Sequence, residues 1–175
     1  PLCDDVGGQY IRLGPGSPVR INPFDLPPFD PTDDDLRDPL RDHIASLQRL
    51  MQLLLADRGH TLTGEEVAII DLALAATYSG EWRDASGRLA RGGFSNDPST
   101  HPAERTPLMC DLLDVLRHAS IYLPPLNADL VQSLATRLAR YVEGSLADFF
   151  SQPTNVSLDA RLTVFNVSAL GEELW

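Results

Sequence analysis

TGEEVAIIDLALAATYS, residues 63–79, is the stretch of sequence that decides the fold class. Thr63 and Glu66 stand at the Thr-x-x-Glu spacing of a capping box, which predicts a helix from Gly64 to Ser79. Only three of its residues are charged, so apolar side chains occur on nearly all sides of the predicted helix. A helix that is apolar almost all round is typical of the centre of a packed bundle.

Three further helices are predicted around this central one. They are residues 39–58, a helix that begins at Thr106-Pro107, and a helix from Asn127 to Gly144 followed by a further turn or two to residue 150. Each start carries an N-cap residue, and in the first two a proline follows at the first helical position. Apolar residues recur at intervals of three and four in all three segments, which is the spacing of one helix face.

Short strands are predicted on either side of the helices, at residues 9–13 and 161–167, with Val19-Arg20-Ile21 as a further candidate. The apolar density of the last strand suits burial on both faces. The sequence therefore predicts a mainly α fold, a bundle of four to five helices with short flanking β-strands. We expect an extended N-terminal segment at 1–35, a helical subdomain at 36–160, and a strand and the start of a truncated helix at 161–175. Both ends read as mid-protein sequence, so we expect an excised piece of a larger protein.

Composition and charge exclude several classes of protein. The 175 residues are 43% hydrophobic and 22% charged, which excludes a disordered chain. No stretch approaches the ~20 apolar residues that a membrane-spanning helix needs. The formal net charge is −11, which disfavours binding of the whole domain to phosphate backbones. All fourteen basic residues are arginine, so the chain contains neither a P-loop lysine nor a Schiff-base lysine. Cys3 and Cys110 are expected to be free thiols in a reducing cytoplasm.

No catalytic residue, cofactor ligand or metal ligand is predicted in this chain. The four histidines have no ligand-like spacing to one another or to the cysteines. Asp33-Asp34-Asp35 lacks the spacing, glycine and glutamate of a calcium loop, and acidic residues before a helix favour the helix start. No nucleophile elbow or similar motif supports a catalytic triad.

The long segment at residues 81–105 shows no period and is rich in Gly, Ser, Asn, Asp and Pro. Loops of this length are usually functional or mobile. Its part at 83–91 holds Arg83, Arg88 and Arg91 against a single acid, Asp84. These three arginines are candidates to contact phosphate, nucleic acid or a neighbouring subunit, and the alternative is an ordinary solvated loop.

Two blocks of sequence carry a family resemblance. The first is GGQYIRLGPG at 7–16 with RINPF at 20–24, and the second is RLARYVEGS at 137–145 with Phe150, Thr154, Asn155 and residues 161–166. The helix that ends in Thr77-Tyr78 also fits. Together they resemble the conjugal-transfer and type IV secretion ATPases, the TraC/TrbE/VirB type of the FtsK/HerA-related P-loop class. Tyr141, Gly144, Thr154 and Asn155 match the family pattern without a known chemical role, and packing and turn geometry suffice to explain them.

This resemblance implies a position for the chain within a larger ATPase. The region lies between the phosphate-binding loop and the acidic strand that helps to hold magnesium, so the catalytic lysine is expected upstream and the acidic strand downstream. It contributes strands at both edges of a RecA-like core and a helical subdomain between them. ATP and magnesium are expected in the parent protein and no cofactor in this chain.

The resemblance also implies partners and a location. The expected partners are the rest of the ATPase core, other secretion components and another copy of the chain, at the cytoplasmic face of the inner membrane. Two alternatives stay open: a stand-alone helical module that binds a partner protein, and contact with single-stranded DNA through the three arginines.

Overall fold

The computed structural model describes residues 8–12, 17–26, 39–56, 61–79, 106–144, 147–157 and 162–166. Their elements are β1 (Gln9–Arg12), α1 (Pro39–Leu55), α2 (Gly64–Ser79), α3 (Met109–Arg117), α4 (Ala119–Tyr122), α5 (Ala128–Val142), α6 (Ala147–Phe150) and β2 (Thr163–Asn166). The predicted mainly α fold is confirmed, with α4 and α6 only one turn long. None of the helices in these ranges has the length and apolar character required to cross a membrane.

The central helix α2 begins and ends where the sequence predicted. Its capping box is formed, since Thr63 Oγ1 accepts from the Glu66 N–H at 3.2 Å and Glu66 Oε2 accepts from the Thr63 N–H at 2.8 Å. Helices α1, α3 and α5 pack against α2. One side of α2 stays open to solvent, where Leu72 is 38% exposed, so the helix is covered on most sides but not on all.

The hydrophobic core lies between α1, α2, α3 and α5. Phe24 and Phe150 add aromatic rings to it from the segments that flank these helices, and Phe24 is completely buried. Neither strand contributes a residue to this core cluster in the described part of the chain, although Ile11 of β1 is itself buried. The helical body is therefore packed independently of the strands.

Two helix boundaries differ from the sequence prediction. Helix α1 ends at Leu55 instead of reaching Arg58, because side chains of α5 take up its last carbonyl groups. Helix α3 begins at Met109 instead of Thr106-Pro107. The Leu108 N–H donates to Asp111 Oδ2 at 2.8 Å, so an acidic side chain caps the helix two residues later than predicted.

The start of α5 follows the prediction, with Asn127 Oδ1 accepting from the Asp129 N–H at 3.1 Å. That contact is the side-chain cap expected of an asparagine before a helix.

The strands β1 and β2 form a parallel pair in register from Gln9↔Thr163 to Arg12↔Asn166. The whole helical body is thus the crossover between two neighbouring parallel strands. The prediction that the last strand is covered on both faces is wrong for the described chain, since Phe165 is 43% exposed and Tyr10 of β1 is 55% exposed. Residues 19–21 form no strand, because Arg20 bonds to the side chain and the backbone amide of Asn155, a residue outside the strands.

Candidate functional site

The structure does not test the arginine loop. Arg83, Arg88 and Arg91 lie in residues 80–105, outside the described part of the chain. Cys110 is a half-buried cysteine in α3 that is not part of a disulfide, and Cys3 lies outside the described residues. Within the described ranges, no three His, Cys, Asp or Glu side chains are close enough together to hold a metal ion.

Residues of the two motif blocks converge with the neighbouring Asp25 in one polar cluster, which we call the clamp: Arg20, Asn22, Asp25, Thr154 and Asn155. The Arg20 N–H donates to Asn155 Oδ1 at 2.8 Å, and the Asn155 N–H donates back to the Arg20 carbonyl at 3.2 Å. The Asn22 N–H donates to Thr154 Oγ1 at 2.7 Å. Segments 17–26 and 151–157 are therefore joined by bonds between residues that lie 132 and 135 positions apart in sequence.

The side chain of Asn22 is the buried centre of the clamp, with Asn22 only 3% exposed. Its Nδ2 donates to Asp25 Oδ1 at 3.0 Å and to the Pro107 carbonyl at 2.8 Å, and its Oδ1 accepts from the Phe24 N–H at 3.1 Å. Both donor hydrogens and the acceptor of this amide are thus satisfied, as burial of a polar group requires. Thr154 Oγ1 completes the cluster by donating to the other carboxylate oxygen of Asp25.

Tyr78 of α2 binds segment 17–26 to the helical body through contacts with Phe24. Its hydroxyl donates to the Phe24 carbonyl at 2.8 Å, and its ring centre lies 5.8 Å from that of Phe24. Burial, assisted by the carboxylate of Asp25, raises the pKa of Tyr78 far above its usual value. The hydroxyl therefore stays protonated and remains a donor.

His43 of α1 packs against the ring of Tyr78. Its ring meets that of Tyr78 edge-on, with centres 6.3 Å apart, and its Nε2 is buried without a hydrogen-bond partner among the described residues. Burial lowers the pKa of His43, opposed by the carbonyls of Pro23 and Phe24 and by the carboxylate of Asp25. The folded chain therefore favours the neutral imidazole.

We expect the free energy of unfolding to fall as the pH drops below about 6.5. Below that pH the unfolded chain binds a proton that His43 resists in the folded chain, so acid favours unfolding by up to about 1.4 kcal/mol per pH unit. Urea titrations between pH 5.5 and 8 measure this slope, with His43→Gln as the control that removes it. Equal slopes in the two proteins would contradict the assignment.

A second cluster lies at the end of α1, where two residues of the motif at 137–145 bind its last carbonyl groups. The Tyr141 hydroxyl donates to the Leu54 carbonyl at 2.8 Å, and Arg137 Nη1 donates to the Leu55 carbonyl at 2.7 Å. Residues four apart share one helix face, which places both side chains over the end of α1. The last carbonyls of a helix have no partner within it, so these bonds satisfy groups that burial would otherwise leave unpaired.

Arg137 also links this helix end to the start of α2. Its Nη2 donates to Glu66 Oε1, and both side chains are largely buried. The N–H of Thr63 lowers the pKa of Glu66, and the guanidinium of Arg137 lowers it further. Glu66 is therefore ionised at neutral pH and serves both the capping box and the buried ion pair.

The remaining motif residue, Gly144, is required by close packing. A Cβ atom at this position would lie well inside the contact distance of the Arg140 carbonyl oxygen. The helix has just ended at Val142, and the N–H of the next residue, Glu143, still donates to the Ala139 carbonyl. Tyr141, Gly144, Thr154 and Asn155 therefore have packing and hydrogen-bonding roles, and the sequence alone did not show their partners.

A groove of about 480 Å³ lies apart from both clusters, where α3, α4 and α5 meet. Its lining includes Leu116, Leu123, Pro124, Leu126 and Val131. At its edge, Arg117 donates to both carboxylate oxygens of Glu143, at 2.5 and 3.0 Å, and this pairing raises the pKa of Arg117. The groove is mainly apolar, so it suits an apolar side chain of another molecule.

A helical body between two short strands is the arrangement that the resemblance to type IV secretion ATPases implies for this region. The structure of VirB4 of Thermoanaerobacter pseudethanolicus is similar to this chain, with a TM-score of 0.69 and 25% sequence identity. The similarity covers 98% of this chain and 56% of that chain, so this chain spans little more than half the length of that structure. No protein-family profile and no curated protein matches the sequence. The resemblance to type IV secretion ATPases is confirmed by this structural similarity.

Proposed function

We propose that the chain is the helical subdomain of a type IV secretion ATPase that powers translocation of DNA or protein, and that it carries no catalytic residue itself. The observation that supports this is the similarity to VirB4 over 98% of the chain. Phosphoryl transfer of the P-loop type needs a lysine in the phosphate cradle, and the 175 residues contain no lysine. The catalytic lysine and the acidic magnesium-binding strand then belong to other parts of the parent protein.

The strand pair is the surface through which the subdomain would join the ATPase core. Parallel strands are normally covered on both faces, and a two-stranded sheet alone is marginally stable. Here Val164 and Phe165 of β2 and Tyr10 of β1 leave apolar surface exposed. Further strands of a RecA-like sheet would cover this surface, in a parent that works at the cytoplasmic face of the inner membrane.

The purified 175-residue chain is expected to show no ATP hydrolysis above blank with Mg²⁺ present. The gene around it is expected to encode an upstream Gly-x-x-x-x-Gly-Lys-Ser/Thr motif, and the protein that includes it is expected to hydrolyse ATP. Replacement of that motif's lysine by alanine gives the matched inactive control. Turnover by the 175-residue chain alone would overturn the non-catalytic assignment, and flanking sequence without the motif would overturn the ATPase assignment.

The groove between α3, α4 and α5 favours one alternative, a stand-alone helical module that binds a partner protein. Flanking sequence separates the two functions, because only the ATPase requires an upstream phosphate-binding loop. Contact of single-stranded DNA with Arg83, Arg88 and Arg91 stays a prediction from the sequence, and the net charge of −11 opposes it.

A further inference from the structure

The strand pair is attached to the helical body by few contacts between their elements. No strand residue belongs to the core cluster in the described ranges, although Ile11 of β1 is buried, and β1 and β2 contact each other far more than either contacts a helix. The two connecting segments, 17–26 and 151–157, therefore add to what holds the strands in position on the body.

Those two segments are bonded to each other at a short distance in sequence from the strands to which they connect. Segment 17–26 follows the carboxyl end of β1, whereas segment 151–157 precedes the amino end of β2. In a parallel pair these two ends lie at opposite ends of the sheet. The bonds between Arg20 and Asn155 and between Asn22 and Thr154 thus close a ring that contains both strands and both segments. A closed ring resists sliding or tilting of one strand without the other.

Further bonds extend the ring in both directions. Toward the strands, Ser17 Oγ donates to the carbonyl of Arg12, the last residue of β1, at 2.8 Å, and Asn155 Nδ2 donates to the Pro18 carbonyl at 2.7 Å. Toward the body, Asn22 bonds to the Pro107 carbonyl and Tyr78 to the Phe24 carbonyl. The Thr154 hydroxyl links the two segments, because it accepts a hydrogen bond from the Asn22 N–H and donates one to Asp25.

We propose that the clamp is a mechanical joint that makes the strand pair follow the helical body as one unit, and that the joint can open while the body stays folded. If the chain belongs to an ATPase as proposed above, movement of the core sheet reaches the helical body through this joint. Thr154 and Asn155 are then positioning residues, which act through the segments that they hold.

Hydrogen exchange of the 175-residue chain tests the joint, with Thr154→Val compared with Thr154→Ser. Valine has the shape of threonine but loses the hydroxyl, whereas serine keeps it. In Thr154→Val the amides of Asn22 and of the β1–β2 ladder are expected to exchange about tenfold faster, as loss of a buried hydrogen bond predicts. Amides in α5 are expected to keep their rates, and Thr154→Ser is expected to match the unmodified chain.

A second variant, Asn155→Ala, serves if Thr154→Val does not fold, because Asn155 is exposed and lies outside the core. It is expected to accelerate exchange of the Arg20 amide and of the strand ladder. Equal acceleration in α5 and in the strands would show that the clamp is only part of one cooperative core. Unchanged strand amides would show that the clamp does not hold the strands. Either of these two results would overturn the proposed joint. Because neither measurement involves nucleotide, both would leave the ATPase assignment intact.

Discussion

Arg137→Met is expected to lower the free energy of unfolding by about 3 kcal/mol, the low end of the cost of breaking a buried ion pair. The substitution leaves the carboxylate of Glu66 ionised, buried and without its guanidinium partner. It also leaves the Leu55 carbonyl at the end of α1 without its donor. The cost stays at the low end because Thr63 continues to donate to Glu66. Urea denaturation at pH 7 measures the loss.

Two further variants separate the ion pair from a general effect on α5. Arg140→Met removes an exposed arginine of the same helix, whose guanidinium lies 5.6 Å from the centre of the Tyr141 ring, and is expected to change stability by no more than about 1 kcal/mol. Glu66→Gln keeps the capping box, since glutamine serves at that position, and removes the charge. The double variant with Arg137→Met and Glu66→Gln is therefore expected to be more stable than Arg137→Met alone. A double variant that is less stable than the single one would refute the role of the buried charge.

The central helix could be predicted from sequence because its signals are local. Thr63 and Glu66 are three residues apart, and the capping box they form is complete within one turn of α2. The end of α1 could not be predicted in the same way. The partner of the Leu55 carbonyl is Arg137, 82 residues away, and nothing in the sequence around Leu55 indicates it.

The clamp shows the same limit for the site. The family resemblance pointed to residues 20–24, Thr154 and Asn155, but it gave them no role, because the role exists only when the two segments meet. The bond between Asn22 and Thr154 spans 132 residues. Composition, in contrast, drew attention to the arginines of residues 83–91, which lie outside the described residues. A cluster of charged residues can be recognised in a sequence as a candidate binding site, whereas hydrogen-bond partners that are far apart in sequence can be identified only in the structure.

Gly144→Ala, in the turn after α5, is expected to lower the free energy of unfolding by about 2 kcal/mol, which is typical of overpacking. The new Cβ would collide with the carbonyl oxygen of Arg140, and a backbone atom cannot rotate away as a side chain can. The turn must therefore open. Opening shifts the chain that leads to Phe150, whose buried ring packs edge-on against Tyr141 at 6.0 Å.

Gly64→Ala is the matched control, because a Cβ at the first residue of α2 meets open space. Alanine there favours the helix and restricts the unfolded chain, so the variant is expected to be neutral or stabilised by up to about 1 kcal/mol. Both variants add one methyl group, which meets the Arg140 carbonyl oxygen at position 144 and open space at position 64. Thermal and urea denaturation of both therefore measure the packing at the turn, and equal stability of the two variants would contradict it. Since the chain beyond Gly144 runs into segment 151–157, Gly144→Ala is also expected to shift the amide resonances of Asn155 and Asn22, whereas Gly64→Ala leaves them unchanged.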